Sequence, residues 1–408
     1  MTEAKKKLGM TSKIVIATIL GVLAGWLLGE RAVSIKLLGD IFLRLIQMSI
    51  VLLVLGQIVE AVGNLNPREL GKVGLKTLVI FAVSSLLAAA FGVFIASMFK
   101  VGKSIDTDAL GGGEIITAQA GSVSETILSF FPSNIIQSMA SGTIVHLIVF
   151  AILFGVALSF IRVNSEHDLL MKTINQFNDT IIKLIYIVMQ IAPIGVFALI
   201  ASTIGQMGVQ VVLPLAKYIG IYGMGTFIFL AVWILIVSVY CRVGILKLCR
   251  NMMNMSLLAL VTTSSAITLP VAMADAESKL GISKPVTKLV LPLGVSLNSN
   301  GAAMHIALTI VTIAQIYGIE YSMTTLMYIV VLATLTSLAN AVVPGAGLIS
   351  LAIVVPAMNL PLESIALFAG VEWFTGMLRT ILNVDSDVFS AMLVAKSENQ
   401  LDHKVFNE

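Results

Sequence analysis

The sequence predicts an all-α integral membrane protein, and three observations support this. Hydrophobic residues make up 58% of the 408 residues and charged residues only 12%, whereas a soluble domain carries about 25% charged residues. Apolar runs long enough to cross a bilayer as helices recur through the first 240 residues. After residue 250, small polar clusters interrupt the apolar stretches. The net charge of +3 is spread through loops and gives no reason to expect a nucleic-acid partner.

Six apolar runs in the first part of the chain each predict a transmembrane helix. They lie near residues 12–29, 38–63, 74–99, 134–161, 176–207 and 211–240. The first run lacks the small-residue cleavage site of a signal peptide and is followed by further spans, so we interpret it as a membrane helix. Basic residues cluster at 5–7, 68–76 and 242–250, in alternate loops, while segment 101–128 is acidic. The positive-inside rule therefore predicts a cytoplasmic N-terminus.

The remaining chain predicts two re-entrant hairpins. Polar clusters occupy 261–270, 293–303 and 337–347, where a lipid-facing helix could not continue because its backbone groups would lack partners. The first and third clusters are flanked by segments of about 15 residues, which are too short to span. The second cluster breaks a span from about Val286 to Tyr317. With the last helix, this predicts eight transmembrane helices plus two hairpins, arranged as inverted repeats.

Four polar residues share one stripe of the last helix. Arg379, Asn383 and Asp387 are spaced i, i+4 and i+8, and Glu372 precedes the arginine by seven residues. Ionisable groups at membrane depth normally face a polar interior and mark a substrate or ion path, so the stripe favours transport. The guanidinium suits a carboxylate, or it forms an internal ion pair with Glu372 that steadies the bundle. An isolated Asp387 carboxylate implies a bound cation or a proton.

The other polar clusters each allow two interpretations. The hydroxyls of 262–265 indicate either close helix packing or a ligand-binding tip. Segment 344–347, Pro-Gly-Ala-Gly, favours a gating loop because these residues break helices. Asn298 and Asn300 suit a hard cation at an unwound turn, or an amide hydrogen bond between helices.

Other functional classes have less support. His146 and His305 are lone histidines in apolar runs, and Cys241 and Cys249 have no metal-ligand spacing, so nothing indicates an enzyme. A dedicated anion channel would not need two occluding hairpins. A receptor would not need cation ligands on moving elements.

Five separated motifs resemble those of the dicarboxylate/amino acid:cation symporter family, which includes glutamate and aspartate transporters. Residues 38–48, 71–81, 134–158 and 188–201 are similar to the family's second to fifth helices. Residues 379–387, RTILNVDSD, resemble its Arg-Thr-x-x-Asn-x-x-x-Asp signature in the eighth helix. The similarity extends over nearly the whole chain.

The resemblance implies a homotrimer in the plasma membrane that works by an elevator mechanism. Residues 1–240 would form mainly the scaffold and trimer contacts, with helices 3 and 6 moving with the transport part. Residues 241–396 would form the transport core of hairpin 1, helix 7, hairpin 2 and helix 8. Residues 397–408 would be a cytoplasmic tail. The family implies no organic cofactor, and Na⁺ or H⁺ would be co-transported.

The resemblance also assigns site residues by position. A dicarboxylate or acidic amino acid would contact Ser264, Ser265, Val343, Pro344, Gly345, Gly376, Arg379, Thr380 and Asn383. One sodium site would comprise Gly294, Asn298, Asn383 and Asp387, and a second would comprise Ser296, Ser337, Leu338 and Asn340. A third would use Ser84, Ser85 and the residue at 300.

Four departures from the family pattern bear on the substrate and ions. Asn300 replaces an aspartate that balances the charge of the third sodium, so that site is in doubt. Ala302 lacks a hydroxyl that helps the distal carboxylate, and Ser299 replaces a methionine beside the substrate. Gly376 stands where amino-acid carriers place an aspartate for the substrate ammonium. The sequence therefore predicts symport of a four-carbon dicarboxylate without an amino group, with aspartate or glutamate uptake as the alternative. It leaves Na⁺ or H⁺ coupling open.

Overall fold

A computed structural model describes residues 10–64, 67–104, 128, 131–164, 169–208, 212–339 and 345–407. Within these ranges the chain is helical and contains no β-strand, apart from an isolated bridge between Ile282 and Leu401. The helices are α1 (Met10–Leu28), α2 (Lys36–Gly63), α3 (Pro67–Phe99), α4 (Ile135–Ser141), α5 (Ile144–Asn164), α6 (Leu169–Gln190), α7 (Ala192–Met207), α8 (Val212–Cys241), α9 (Ile245–Thr262), α10 (Ser265–Ser278), α11 (Lys284–Leu297), α12 (Asn300–Ile316), α13 (Met323–Ser337), α14 (Ala346–Ala357), α15 (Ser364–Ala369), α16 (Glu372–Ser397) and α17 (His403–Asn407). Segments Gly29–Ile35 and Val101–Ser104 form 3₁₀ turns.

Several helical stretches are apolar enough to cross a membrane. Among the described residues, five pass by length and composition: Ile16–Gly63, Lys72–Lys103, Val145–Arg162, Val212–Cys241 and Lys284–Ile316. The bent pair α6 and α7 makes a sixth if it is counted as one span. Helices α13 and α14 are apolar but only 15 and 12 residues long, which is too short to span.

The apolar run at 176–207 contains a bend that the sequence analysis did not predict. Helices α6 and α7 meet at Ile191 at an angle of 53°. Pro193 lies in the first turn of α7, where a missing N–H is tolerated but the preceding helix cannot continue unbroken. The break places Met189 and Ala192 beside the functional site described below.

An outer group of helices consists of α1, α2, α5, α6 and α7, which pack mainly on one another. Helices α1 and α7 run parallel and approach closely through glycines. A Cβ at Gly21 would lie 3.0 Å from the carbonyl oxygen of Phe197, and one at Gly25 would lie 2.6 Å from that of Ala201. Small residues of this kind allow membrane helices to pack backbone to backbone.

An inner group is organised around α16, which contacts α8, α9, α11 and α12. Helix α3 packs mainly on α12 and α13 and so belongs to the same group. We define the inner group as α3 together with all helices from α8 to α16. The breaks in this group fall within the polar clusters of the sequence. Helices α9 and α10 form an antiparallel hairpin that turns at Thr263, which has φ +50°, and at Ser264. Helices α11 and α12 are separated by Asn298 and Ser299, as the sequence predicts.

The last residues pack against the inner group. The backbone N–H of Asp402 donates to the Gly281 carbonyl (2.8 Å) and that of Ser283 donates to Gln400 (3.1 Å). Lys76, early in α3, pairs with Glu398. Three predicted site residues, Asn340, Val343 and Pro344, lie outside the described residues, as does most of the acidic segment 101–128.

Candidate functional site

A cavity of about 30 Å³ lies where the outer and inner groups meet. The outer group contributes Ile14, Met189, Ala192 and Val196, and the inner group contributes Thr263, Gly345, Leu348, Ala369, Glu372, Trp373, Gly376 and Arg379. This volume holds only about one or two water molecules. A larger ligand would therefore require one of the surrounding elements to move.

Arg379 lies on the face of α16 that borders this cavity. Its side chain is buried, with a relative exposure of 5% for the residue. Nη2 donates a hydrogen bond to Oε1 of Glu372 at 2.7 Å. Nη1 is buried and has no hydrogen-bond partner among the described residues. A buried cationic donor without a partner is costly, so Nη1 is suited to receive an anionic ligand.

Glu372 connects the arginine to the start of α14. Its Oε1 also accepts a hydrogen bond from the Gly347 N–H at 3.0 Å, and Thr375 Oγ1 lies 3.3 Å from Oε2. A Cβ at Gly347 would lie 2.2 Å from Arg379 Nη1 and 2.3 Å from Glu372 Oε2. Only glycine at 347 therefore allows α14 to rest directly on the ion pair.

Two helix N-termini meet beside the arginine. Ser264 caps α10, with its Oγ accepting from the Ile267 N–H, and Ser265 is the first residue of that helix; both are buried. Gly345, with φ +82°, precedes α14 and lines the cavity. The N-termini carry partial positive charge and unsatisfied N–H groups. Together with Arg379 they make this region suited to anions.

Asp387 lies deeper along α16 against the broken helix. Its Oδ1 accepts a hydrogen bond from Asn298 Nδ2 at 2.8 Å. The carboxylate also faces the backbone of Gly294, where a Cβ would lie 2.5 Å from Asp387 Cγ. No basic side chain lies within 4.0 Å of this carboxylate in the described part of the chain. The arrangement suits a hard cation held by carboxylate, amide and carbonyl oxygens.

The predicted third cation set is assembled but neutral. Asn300 Oδ1 accepts from Ser85 Oγ at 2.9 Å and lies 3.2 Å from Ser84 Oγ, which is equally close to Asn298 Oδ1. Asn300 Nδ2 is buried without a partner among the described residues. These groups satisfy one another without a net negative charge, which weakens the case for a sodium ion here.

The remaining predicted residues are more dispersed. Asn383 Oδ1 accepts from the Gly301 N–H at 2.7 Å, so this amide caps α12. Thr380 is buried and donates to the Gly376 carbonyl at 2.8 Å. Ser296 is exposed near the end of α11, whereas Ser337 is buried at the end of α13, next to Leu338. The described hydrogen bonds do not connect these last three residues.

Sequence reasoning missed several residues at the site. Tyr222 donates to the Gly301 carbonyl at 3.0 Å and fixes the start of α12. Asp385, buried beside the stripe, accepts from Ser256 Oγ of α9 at 2.8 Å. For Asp385 a signal existed, because it is a third acid inside an apolar helix. The sequence analysis included Gly347 in a gating loop but did not predict its contact with the ion pair, and no pattern indicated Tyr222. Both roles depend on which backbones meet.

Comparison with known proteins decides the family. The model of the sodium:dicarboxylate symporter family matches residues 10–397. The chain belongs to the sodium:dicarboxylate symporter family. It is therefore a multi-pass membrane transporter and not an enzyme, and the resemblance inferred from the motifs is confirmed.

The relatives of this symporter are named for two classes of substrate, acidic amino acids and C4-dicarboxylates. It is 31% identical to the proton/glutamate-aspartate symporter of Escherichia coli (strain K12), an alignment that covers 98% of this chain and 95% of the relative. It is also 31% identical to the C4-dicarboxylate transport protein of Laribacter hongkongensis (strain HLHK9), with 96% and 90% covered. The proton/sodium-glutamate symport protein of Bacillus caldotenax is 30% identical, with 98% and 97% covered. Identity alone therefore does not choose between the substrates.

Proposed function

We propose that this symporter couples inward flux of a cation to uptake of a four-carbon dicarboxylate without an amino group, such as succinate, fumarate or malate, across the plasma membrane. The observation that carries the proposal is the buried Arg379 with an unpartnered Nη1 beside a glycine at 376. Glutamate, which appears in the names of two of these relatives, and aspartate, which appears in the name of one, are the alternative substrates.

The charges around the cavity support a substrate without an ammonium group. Glu372 is the only acid among the described lining residues, and it is already engaged by Arg379 and the Gly347 N–H. An amino-acid ammonium would be buried without a counter-charge of its own, at a cost of several kcal/mol. A dicarboxylate has no such group.

Asp387 supplies the natural cation site. A sodium ion there would be held by the Asp387 carboxylate, the Asn298 and Asn383 oxygens and the Gly294 carbonyl. Oxygen ligands of this kind suit Na⁺ at an unwound helix. The names of the relatives include both sodium and proton coupling, and Asn300 argues against a full set of three sodium ions.

The packing supports an elevator mechanism. We assign eight transmembrane helices, taking α4–α5, α6–α7, α11–α12 and α15–α16 as single broken spans, and two re-entrant hairpins, α9–α10 and α13–α14. The outer group is the scaffold of a homotrimer and the inner group moves. The cavity lies beside Ile14, in the second turn of α1. The positive-inside rule predicts that this end of α1 faces the cytoplasm. With that orientation, we assign the structure to an inward-facing state.

Cross-linking tests the movement. A Cβ at Gly370 of the inner group would lie 3.8 Å from Cγ2 of Thr18 in α1. In a variant without native cysteines, we expect Thr18→Cys with Gly370→Cys to form a disulfide that abolishes uptake until a reductant is added. The control pair, Gly21→Cys with Ile200→Cys, joins two helices of the outer group, where the Cβ atoms would be 3.1 Å apart. Because the outer group is proposed not to move, this second disulfide should leave uptake unchanged. Uptake that persists in the oxidised Thr18–Gly370 pair would contradict the proposed movement.

Gly347 tests the contact between α14 and the ion pair. We expect Gly347→Ala to weaken dicarboxylate binding at least about tenfold, because the new methyl must displace Arg379 or Glu372. Alanine would otherwise favour a helix by about 1 kcal/mol. Gly223→Ala is the matched control, since its Cβ would make an ordinary 3.5 Å contact with Leu378. Calorimetric titration with succinate measures the affinity of both purified variants. Equal affinities would contradict the proposed contact between Gly347 and the ion pair.

Uptake into proteoliposomes tests the proposed function itself. We expect saturable, concentrative uptake of succinate under an inward cation gradient, with aspartate competing weakly. Separate sodium and proton gradients would identify the driving ion. Strong preference for aspartate would refute the substrate proposal, and non-saturable flux that follows only the anion gradient would indicate a channel.

A further inference from the structure

Glu372 holds a negative charge in the same small region that is to bind a dianion. The residue is buried, with a relative exposure of 7%. Its carboxylate is held by Arg379, by the Gly347 N–H and by the nearby Thr375 hydroxyl. The Arg379–Glu372 pair is therefore neutral before any substrate enters.

Binding of a dicarboxylate disturbs this balance. If one substrate carboxylate takes Arg379, the site holds three carboxylates for one guanidinium: the two of the substrate and that of Glu372. The Glu372 carboxylate then has no basic partner, and an unpaired negative charge in a dry interior costs several kcal/mol. That charge is removed if one proton from the solution (a hydronium ion or a protonated buffer) joins the Glu372 carboxylate, which forms one O–H bond and leaves a neutral acid that still hydrogen-bonds.

We propose that Glu372 is the site of a co-transported proton: it is ionised and paired with Arg379 in the empty carrier, and protonated when a substrate carboxylate takes the arginine. This inference rests on the proposed function and names one coupling ion for the same site. It adds a proton to any sodium bound near Asp387. Glu372 also accepts a hydrogen bond from the start of α14, in the second hairpin. Protonation of Glu372 would therefore change a contact of the hairpin that has to open to admit substrate.

The surroundings provide few competing groups. Tyr218 and Tyr222 of α8 and His305 of α12 face the ion pair, and both tyrosine hydroxyls have hydrogen-bond partners. Helices α14 and α15 contain no ionisable residue, and Lys13 of α1 is exposed. On the elements that pack against α16, Lys76 of α3 pairs with Glu398 and Asp275 of α10 pairs with Lys279. Arg250 of α9 and the two lysines of α11, Lys284 and Lys288, are exposed.

The test measures proton linkage in binding. Succinate affinity of the purified full-length protein is determined by calorimetry from roughly pH 7 to 9, where the ligand is a dianion, at fixed sodium concentration. One proton taken up with substrate raises Kd about tenfold per pH unit. We expect this slope in the native protein and a flat profile with retained binding in Glu372→Gln, which mimics the protonated acid. A pH indicator in weak buffer should record one proton taken up per protomer on succinate addition.

The matched control is Glu60→Gln. Glu60 is a half-buried glutamate of α2 that accepts a hydrogen bond from Asn178 of α6 in the outer group, and its variant should keep the native slope. A slope that persists in Glu372→Gln, or a native protein that binds succinate without proton uptake, would overturn the inference and leave the proposed function intact. A folded Glu372→Gln protein that does not bind succinate would also overturn it. If Glu372→Gln does not fold, Glu372→Asp must still take up one proton. Absence of dicarboxylate binding by the native protein under any condition would refute the proposed function instead.

Discussion

Replacing Arg379 with serine is expected to lower dicarboxylate uptake at least about 100-fold while the protein still folds and assembles. The variant removes the buried guanidinium that would neutralise one substrate carboxylate. Hydrogen bonds to charged groups contribute about 1.5–3 kcal/mol each, and breaking a buried ion pair costs about 3–5 kcal/mol. Loss of two hydrogen bonds from Arg379 to a substrate carboxylate would account for the decrease of about 100-fold in uptake. Initial rates of succinate uptake in proteoliposomes measure this decrease.

Two controls separate substrate binding from stability. Arg379→Ser leaves the Glu372 carboxylate without its partner, so the double variant with Glu372→Gln removes that buried charge and should restore stability but not uptake. Arg162→Ser removes an arginine of the outer group that donates to the Gly63 carbonyl at 2.8 Å, and it should transport normally. Dicarboxylate uptake retained by a folded Arg379→Ser protein would show that the arginine is only structural.

Replacing Gly376 with aspartate is expected to reverse substrate preference, by about 100-fold or more in the ratio of aspartate to succinate uptake. A Cβ at 376 would point into free space, 3.5 Å from Arg379 Nη2 and 4.0 Å from Thr263 Cγ2. The added carboxylate would give a substrate ammonium its counter-charge. It would also repel a second carboxylate in the same region, and like charges in a dry site cost several kcal/mol.

The matched variant is Gly376→Asn, which has nearly the same size and no charge. We expect it to lower uptake of both substrates without changing their ratio. If asparagine and aspartate have the same effect, the glycine matters for space alone. If neither variant changes the ratio, the residue at 376 does not select the substrate.

Much of the fold could be predicted because membrane burial leaves a strong local signal. Apolar runs predicted most of the spans. The clusters at 261–270 and 293–303 predicted the breaks at Thr263 and Asn298, because backbone groups that leave a helix within a membrane need polar partners. The bend at Ile191 was missed because the run around it is apolar apart from Gln190. Pro193 was the only local indication of that bend.

The candidate site could be predicted where it depends on one helix and not where it depends on contacts between helices. The i, i+4, i+8 spacing placed Arg379, Asn383 and Asp387 on one face, and all three are buried there. Pairing of Glu372 with Arg379 was one of two interpretations. The contact of Gly347 with that pair and the hydrogen bond from Tyr222 to α12 depend on the register between separate helices. Spacing within one helix does not contain that information.

The most direct test of the central claim is a structure of the symporter in lipid nanodiscs with succinate and sodium. The account predicts a succinate carboxylate on Arg379, with Nη1 as a donor, enclosed between the tips of the two hairpins. It also predicts that the 2.7 Å hydrogen bond from Arg379 Nη2 to Glu372 Oε1 is lost or lengthened when succinate is bound. Succinate bound elsewhere, with the Arg379–Glu372 pair unchanged, would contradict it.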